Sequence, residues 1–95
     1  MLVMVIERFR RGAQPVYARA AAKGRMLPDG LRYVSSWVDE PTMSRCFQLM
    51  ETDDPSLLQE WASRWDDLVE FEFVPVVSST EAAALIGELR TRPSP

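Results

Sequence analysis

The chain has 95 residues and a formal net charge of −3, which is one domain's worth of chain with a thin core. Hydrophobic residues are 46% and charged residues 26%, with acids and bases interspersed; this excludes intrinsic disorder, and without a basic stripe neither nucleic acid nor an anionic membrane is expected as a partner. Histidine is absent, which removes the commonest general base, the usual zinc ligand and the usual proximal ligand of haem.

A single cysteine, Cys46, leaves no internal disulfide framework, and a reducing cytoplasm is the expected compartment. The N-terminus MLVMVIERFRR is apolar first and basic after, the reverse of a signal peptide. No apolar run approaches the roughly 18 residues that span a bilayer.

Residues 2–9 are a compact apolar run rich in β-branched side chains, which predicts a central strand. Gly12 breaks it, and Pro15 suits the first position of a helix. Ala13, Val16, Tyr17, Ala20 and Ala21 give that helix its apolar spacing. Lys23 and Arg25 favour its C-terminal end, and Gly24 its cap. Pro28-Asp29-Gly30 signals a turn. Residues 31–38 and 45–51 then read as a β-hairpin around the polar loop 39–44. Asp53 or Asp54 caps a second helix with Pro55 at its first position, and Leu57, Leu58, Trp61, Trp65 and Leu68 form its buried stripe. Residues 69–77 are a fourth strand, with Phe71 and Phe73 on one face and Glu70 and Glu72 on the other, as suits a sheet edge. Ser78 and Glu81 fit a capping box for a last helix striped by Ala82, Leu85, Ile86 and Leu89. Pro93 stops that helix, leaving 93–95 as a frayed tail.

The order β-α-β-β-α-β plus a C-terminal helix predicts an α+β, ferredoxin-like domain over residues 1–92, with a four-stranded antiparallel sheet and both main helices on one face. The opposite face is left bare, and a second copy of the chain is its expected cover, as in a dimeric α/β barrel.

A hairpin turning symmetrically about Pro41 and Thr42 sets Arg32 opposite Glu51, Val34 opposite Leu49, Ser36 opposite Phe47 and Val38 opposite Arg45, which reads as a core face with charged ends. Tyr33, Ser35 and Trp37 then face the other way with Met50, Gln48 and Cys46. That mixed set suits either a small-molecule pocket or a semi-polar subunit interface, and a one-residue slip exchanges the partners.

Several groups have a chemical and a structural meaning. Trp61 and Trp65, one helical turn apart, suit a ligand platform or, more simply, core packing. Glu51, Asp53 and Asp54 could gather a metal, but a helix cap and an Arg32–Glu51 pair account for them, and no calcium-loop spacing is present. Cys46 has no histidine to activate it and reads as an inert buried thiol. Asp66, Asp67 and Glu70 read as solvated. No cofactor and no metal are expected: a lone cysteine cannot make a metal-transfer pair, residues 2–6 lack the aromatics of an RNA-recognition sheet, and Arg10-Arg11-Gly12-Ala13 is no phosphate loop.

The segments Met4-Val5-Ile6-Glu7, Gly24-Arg25-Met26-Leu27-Pro28-Asp29-Gly30-Leu31-Arg32-Tyr33, Ser36-Trp37-Val38 and Arg45-Cys46-Phe47-Gln48-Leu49-Met50-Glu51 resemble those of a bacterial domain-of-unknown-function family, number 3303. Trp61, Trp65 and Asp67-Leu68-Val69-Glu70-Phe71 extend the resemblance over nearly the whole chain. The resemblance implies the dimeric α/β-barrel superfamily, whose members include cofactor-free monooxygenases, muconolactone isomerases and haem-degrading enzymes. The last use a histidine that this chain lacks; the first rely on tryptophan, tyrosine, arginine and asparagine, of which asparagine is missing.

Three functions are expected on these grounds. The first is a homodimer binding a small organic molecule through Tyr33, Trp37, Gln48 and Met50, with Arg25 meeting an anionic group. The second is a cofactor-independent oxygenase or isomerase with Tyr33 or Glu51 as proton acceptor; no residue has an assigned catalytic role. The third is an interaction module without a pocket.

Overall fold

Apolar side chains alternate along Leu2–Phe9 (β1), and the structure, a computed structural model, makes this a central strand. Residues 1–91 are described, the last three by backbone alone; the expected tail at 93–95 and its helix-stopping Pro93 lie outside them. The further elements are α1 (Ala13–Lys23), β2 (Arg32–Val38), β3 (Arg45–Glu51), α2 (Ser56–Ser63), β4 (Val69–Val76) and α3 (Ser79–Thr91). The strands form one antiparallel sheet in the order β2-β3-β1-β4. Each of α1 and α2 therefore connects two strands that have a third between them, which is the ferredoxin-like arrangement.

The core lies between the sheet and the helices. Val3 and Val5 of β1, Met50 of β3 and Val69 of β4 meet Leu58, Trp61 and Trp65. Full burial of an aliphatic side chain of this kind contributes about 1.5–3 kcal/mol. The Trp61 ring meets Phe71 edge-on with centroids 5.4 Å apart, and Phe71 stacks on Phe73 at 5.9 Å. Of the predicted stripe, Leu57, Leu58 and Trp61 lie on α2; the helix ends at Ser63, and Trp65 and Leu68 reach the core from the turns that follow it.

The ends of the helices depart slightly from expectation. Helix α1 starts at Ala13, so Pro15 is its third residue; first-turn N–H groups have no helical acceptor, and proline is tolerated there. Gly24 closes it at φ 67, donating its N–H to the Ala20 carbonyl at 2.7 Å. Helix α2 starts at Ser56, so Pro55 stands at its cap and not at its first position; Asp54, not Asp53, braces that end, its Oδ1 accepting from the Ser56 N–H at 3.0 Å and the Ser56 hydroxyl at 2.7 Å. These bonds, the hydroxyl's first, hold the Asp54 carboxyl below its usual range. Gly30 has φ 93, and a Cβ there would lie 3.0 Å from Leu57 Cδ1, so only glycine fits this turn.

The hairpin begins in the expected register, with Arg32 opposite Glu51 and Tyr33 opposite Met50, but a bulge at Val34 shifts the pairing beyond it. Ser35 pairs with Leu49, Ser36 with Gln48, Trp37 with Phe47 and Val38 with Cys46. The extra residue moves Trp37 to the opposite face from Tyr33. The assignment of faces is also reversed: Cys46, Gln48 and Met50 are the buried, helix-facing set, whereas Phe47, Leu49 and Glu51 lie on the bare side.

That bare side is apolar, carrying Leu2, Met4, Ile6, Phe47, Leu49 and Trp37. Helix α3 starts as predicted, with the Glu81 N–H donating to Ser78 Oγ at 3.1 Å. Its stripe is not buried, for Leu85 and Ile86 are each about half exposed. No described helix is long and apolar enough to cross a membrane.

Candidate functional site

The period-two pattern of β1 places Val3, Val5, Glu7 and Phe9 on the side that faces the helices. Glu7 therefore occupies a position where the preceding two residues of its face are core valines, and it is 4% exposed. A carboxylate loses hydration there, and this desolvation pushes the Glu7 carboxyl up to about 7. A hydrogen bond from Gln48 and the charge of Arg25 act in the opposite direction without cancelling it.

Gln48 reaches Glu7 from the neighbouring strand, its Nε2 donating to Glu7 Oε2. The amide has only one workable orientation. Arg25 Nε lies 3.3 Å from Gln48 Oε1, and a guanidinium only donates, so the amide oxygen faces Arg25 and the amide nitrogen faces Glu7. The chain Arg25–Gln48–Glu7 thus runs from an exposed cation to a buried acid.

The loop after α1 sets the position of Arg25. Its carbonyl oxygen accepts from Trp61 Nε1 and from Trp65 Nε1, each at 3.0 Å. Met26, next in sequence, has φ 58, and its carbonyl accepts from Arg64 Nη1 at 2.6 Å. The two tryptophans are core residues, as expected, and they also tie down this loop through their polar edges. The Arg25 side chain turns back over Tyr33, whose hydroxyl lies 2.7 Å from Ser36 Oγ.

These groups enclose a cleft of about 180 Å³ between the sheet, α1 and α2. Its walls are Phe9, Val16, Trp61 and Trp65, and its polar groups include Glu7, Tyr17, Arg25 and Gln48. Cys46 also borders it; burial, and then the charge of Glu7, push its thiol up to about 12. Burial thus disfavours the Cys46 thiolate at neutral pH. Desolvation, followed by the charges of Cys46 and Glu7, raises the Tyr17 phenol as well. Among the described residues no group of three or more acidic or cysteine side chains is placed to hold a metal ion.

Over residues 1–90 the chain matches the family described as Domain of unknown function (DUF3303). The chain belongs to the DUF3303 family. No curated protein matches this DUF3303 domain. Among solved structures it is similar to one titled "Crystal structure of antibiotic biosynthesis monooxygenase", at 18% identity and a TM-score of 0.50, covering 82% of this chain and 100% of that one. Likeness at that identity shows the ferredoxin-like fold and nothing of the chemistry.

Within the DUF3303 domain the residues singled out from sequence separate into three groups. Gln48 and Arg25 line the cleft. Tyr33 supports Arg25 from beneath, and Met50 is fully buried in the core. Trp37 stands on the bare side of the sheet, 55% exposed, because the Val34 bulge moves it there. Glu51 does not enter the cleft either; it pairs with Arg32 at 2.9 Å on that same bare side. Sequence reasoning misses Glu7 as a site residue because it sits near a strand end beside Arg8, where charge is ordinary. The alternation Val3, Val5, Glu7, Phe9 is the signal that could have found it.

Proposed function

We propose that this domain binds a small organic molecule, about the size of one substituted ring, in the cleft between its sheet and its helices. The observation that carries this is Glu7: a carboxyl kept inside the core at a cost to folding, with one oxygen held by Gln48. Packing alone would be better served by another valine. A dry apolar cavity of roughly 150 Å³ takes up benzene, so the cleft volume of about 180 Å³ suits a single ring with a polar substituent. Titrating a panel of one-ring compounds against ¹⁵N-labelled protein should shift the resonances of Glu7, Arg25 and Gln48. A panel that moves none of them would end this reading.

The same side chain favours a second function, proton-transfer catalysis without a cofactor, as in an isomerase or oxygenase. A carboxyl titrating at about 7 is well matched to work as a general base at neutral pH. Glu7 takes this role in place of Glu51, which is paired with Arg32 on the other side of the sheet, and of Tyr33, which is not among the residues that line the cleft. An enolisable one-ring ketone should exchange its acidic C–H for deuterium faster in the presence of the protein, and Glu7→Gln should abolish the gain.

The working unit in this proposal is a homodimer. Support comes from the apolar bare side of the sheet, with Trp37 at its edge strand, and from α3, which has little burial of its own. A 13-residue helix is marginal in water without a packed face.

A further inference from the structure

We infer that the ligand is a small monocarboxylate, its carboxylate held by Arg25 at the mouth of the cleft and its apolar body lying among Phe9, Val16, Trp61 and Trp65, with Glu7 at the inner end. This rests on the cleft being a ligand site, as proposed above, and adds the charge of the guest.

The disposition of the arginines points to it. Arg8, Arg19, Arg32, Arg45 and Arg64 each face a carboxylate within 4.0 Å. Among the described residues Arg10, Arg11 and Arg25 face none at that distance, and of these three only Arg25 lines the cleft. Its Nε is used by Gln48 Oε1, and among the described residues its two terminal nitrogens have no hydrogen-bond partner. The guanidinium is nevertheless held in place, by Gln48 on one side and by the Tyr33 ring at 3.7 Å on the other. A planar fork fixed in this way and left with open donors matches the two oxygens of a carboxylate. Arg25 is exposed while Glu7 is buried, so the cation sits at the entrance and the acid inside.

The inner acid then sets a condition on binding. A guest carboxylate on Arg25 and an ionised Glu7 would place two negative charges on the same Arg25–Gln48 chain, which favours keeping the proton on Glu7. Among the described residues around Glu7 there is no second carboxyl in the cleft. From β3, Glu7 meets Gln48 and the Cys46 thiol; from α1, the Tyr17 phenol; from the loop after α1, Arg25. Across the sheet β4 sets Phe71 beside Glu7, and α2 and the turn after it bring the indoles of Trp61 and Trp65, so neither side adds a charge to the cleft. A monocarboxylate is therefore bound with Glu7 protonated.

Calorimetric titration with benzoate and its neutral isostere benzamide, between about pH 6 and pH 9, tests this. Benzoate should bind more tightly than benzamide, and its affinity should fall with rising pH, approaching about tenfold per pH unit once Glu7 ionises. Glu7→Gln should bind benzoate with no such fall. Arg25→Met should lose at least about tenfold in benzoate affinity while keeping benzamide, and Arg25→Lys should recover part of the loss. These substitutions leave the backbone carbonyl that anchors the loop in place, and unchanged amide spectra would confirm the fold. Benzamide binding as tightly as benzoate, or a pH dependence that survives in Glu7→Gln, overturns the inference and spares the cleft as a ligand site. If neither compound binds, both fall.

Discussion

Arg25 Cζ lies 3.7 Å from the centroid of the Tyr33 ring. The ring is a shelf for the cation at the entrance to the cleft. Tyr33→Leu keeps a side chain of similar bulk but removes the π face. Anion affinity at Arg25 should fall by about 0.5–1 kcal/mol, the usual strength of a cation–π contact at an exposed site, which is a few-fold weaker benzoate binding by calorimetry.

Glu7 gives stability a pH dependence of defined sign. Its folded value of about 7 lies above the 4.5 of an exposed carboxyl. Below the lower value both states hold the proton and stability is greatest. Between the two, only the folded chain keeps it, so stability falls as pH rises and levels off above about 7. At 1.36 kcal/mol per unit the loss is about 3 kcal/mol. Glu7→Gln should remove that slope and be more stable than the parent at pH 8, as read from urea midpoints across the range.

Trp61 and Trp65 share one acceptor, and their contributions should couple. With either indole replaced by phenylalanine, the other still satisfies the Arg25 carbonyl, and each single change should cost about 1–3 kcal/mol, chiefly in packing. The double replacement leaves that oxygen unserved and should cost more than the sum of the two. A double-mutant cycle by chemical denaturation measures the excess.

The bare side of the sheet predicts association. Ile6→Lys puts a charge at its centre, on a central strand, without touching the helix-facing core. Light scattering at micromolar concentration should give twice the chain mass for the parent and one chain mass for the variant. A parent that is already a single chain would remove the homodimer.

Most of the fold is legible in the sequence because it is written in periodicities. The alternation of residues 2–9 and the proline and glycine punctuation place elements within a residue or two; the apolar spacing from Leu57 to Leu68 finds α2 but overruns its end at Ser63. The hairpin is legible only as far as Tyr33. A bulge inserts one residue without a composition signal, and nothing in Val34-Ser35-Ser36 distinguishes a bulged strand from a regular one. That single residue separates Trp37 from the site; which face of β3 meets the helices is a separate matter, set by its pairing with β1, where Cys46, Gln48 and Met50 join the helix-facing side. The buried acid is hidden for a different reason. Charge next to a strand end is expected, and only crossing β1 with β3 shows that Glu7 and Gln48 meet inside.

The shared carbonyl of Arg25 has an optical consequence. The chain has three tryptophans; Trp37 is open to solvent, while Trp61 and Trp65 are shielded and fastened to the same oxygen at the wall of the cleft. Replacing Trp37 with phenylalanine leaves only the fastened pair to emit. The colour and brightness of that emission would then report a guest entering, or the loop letting go, with no attached dye.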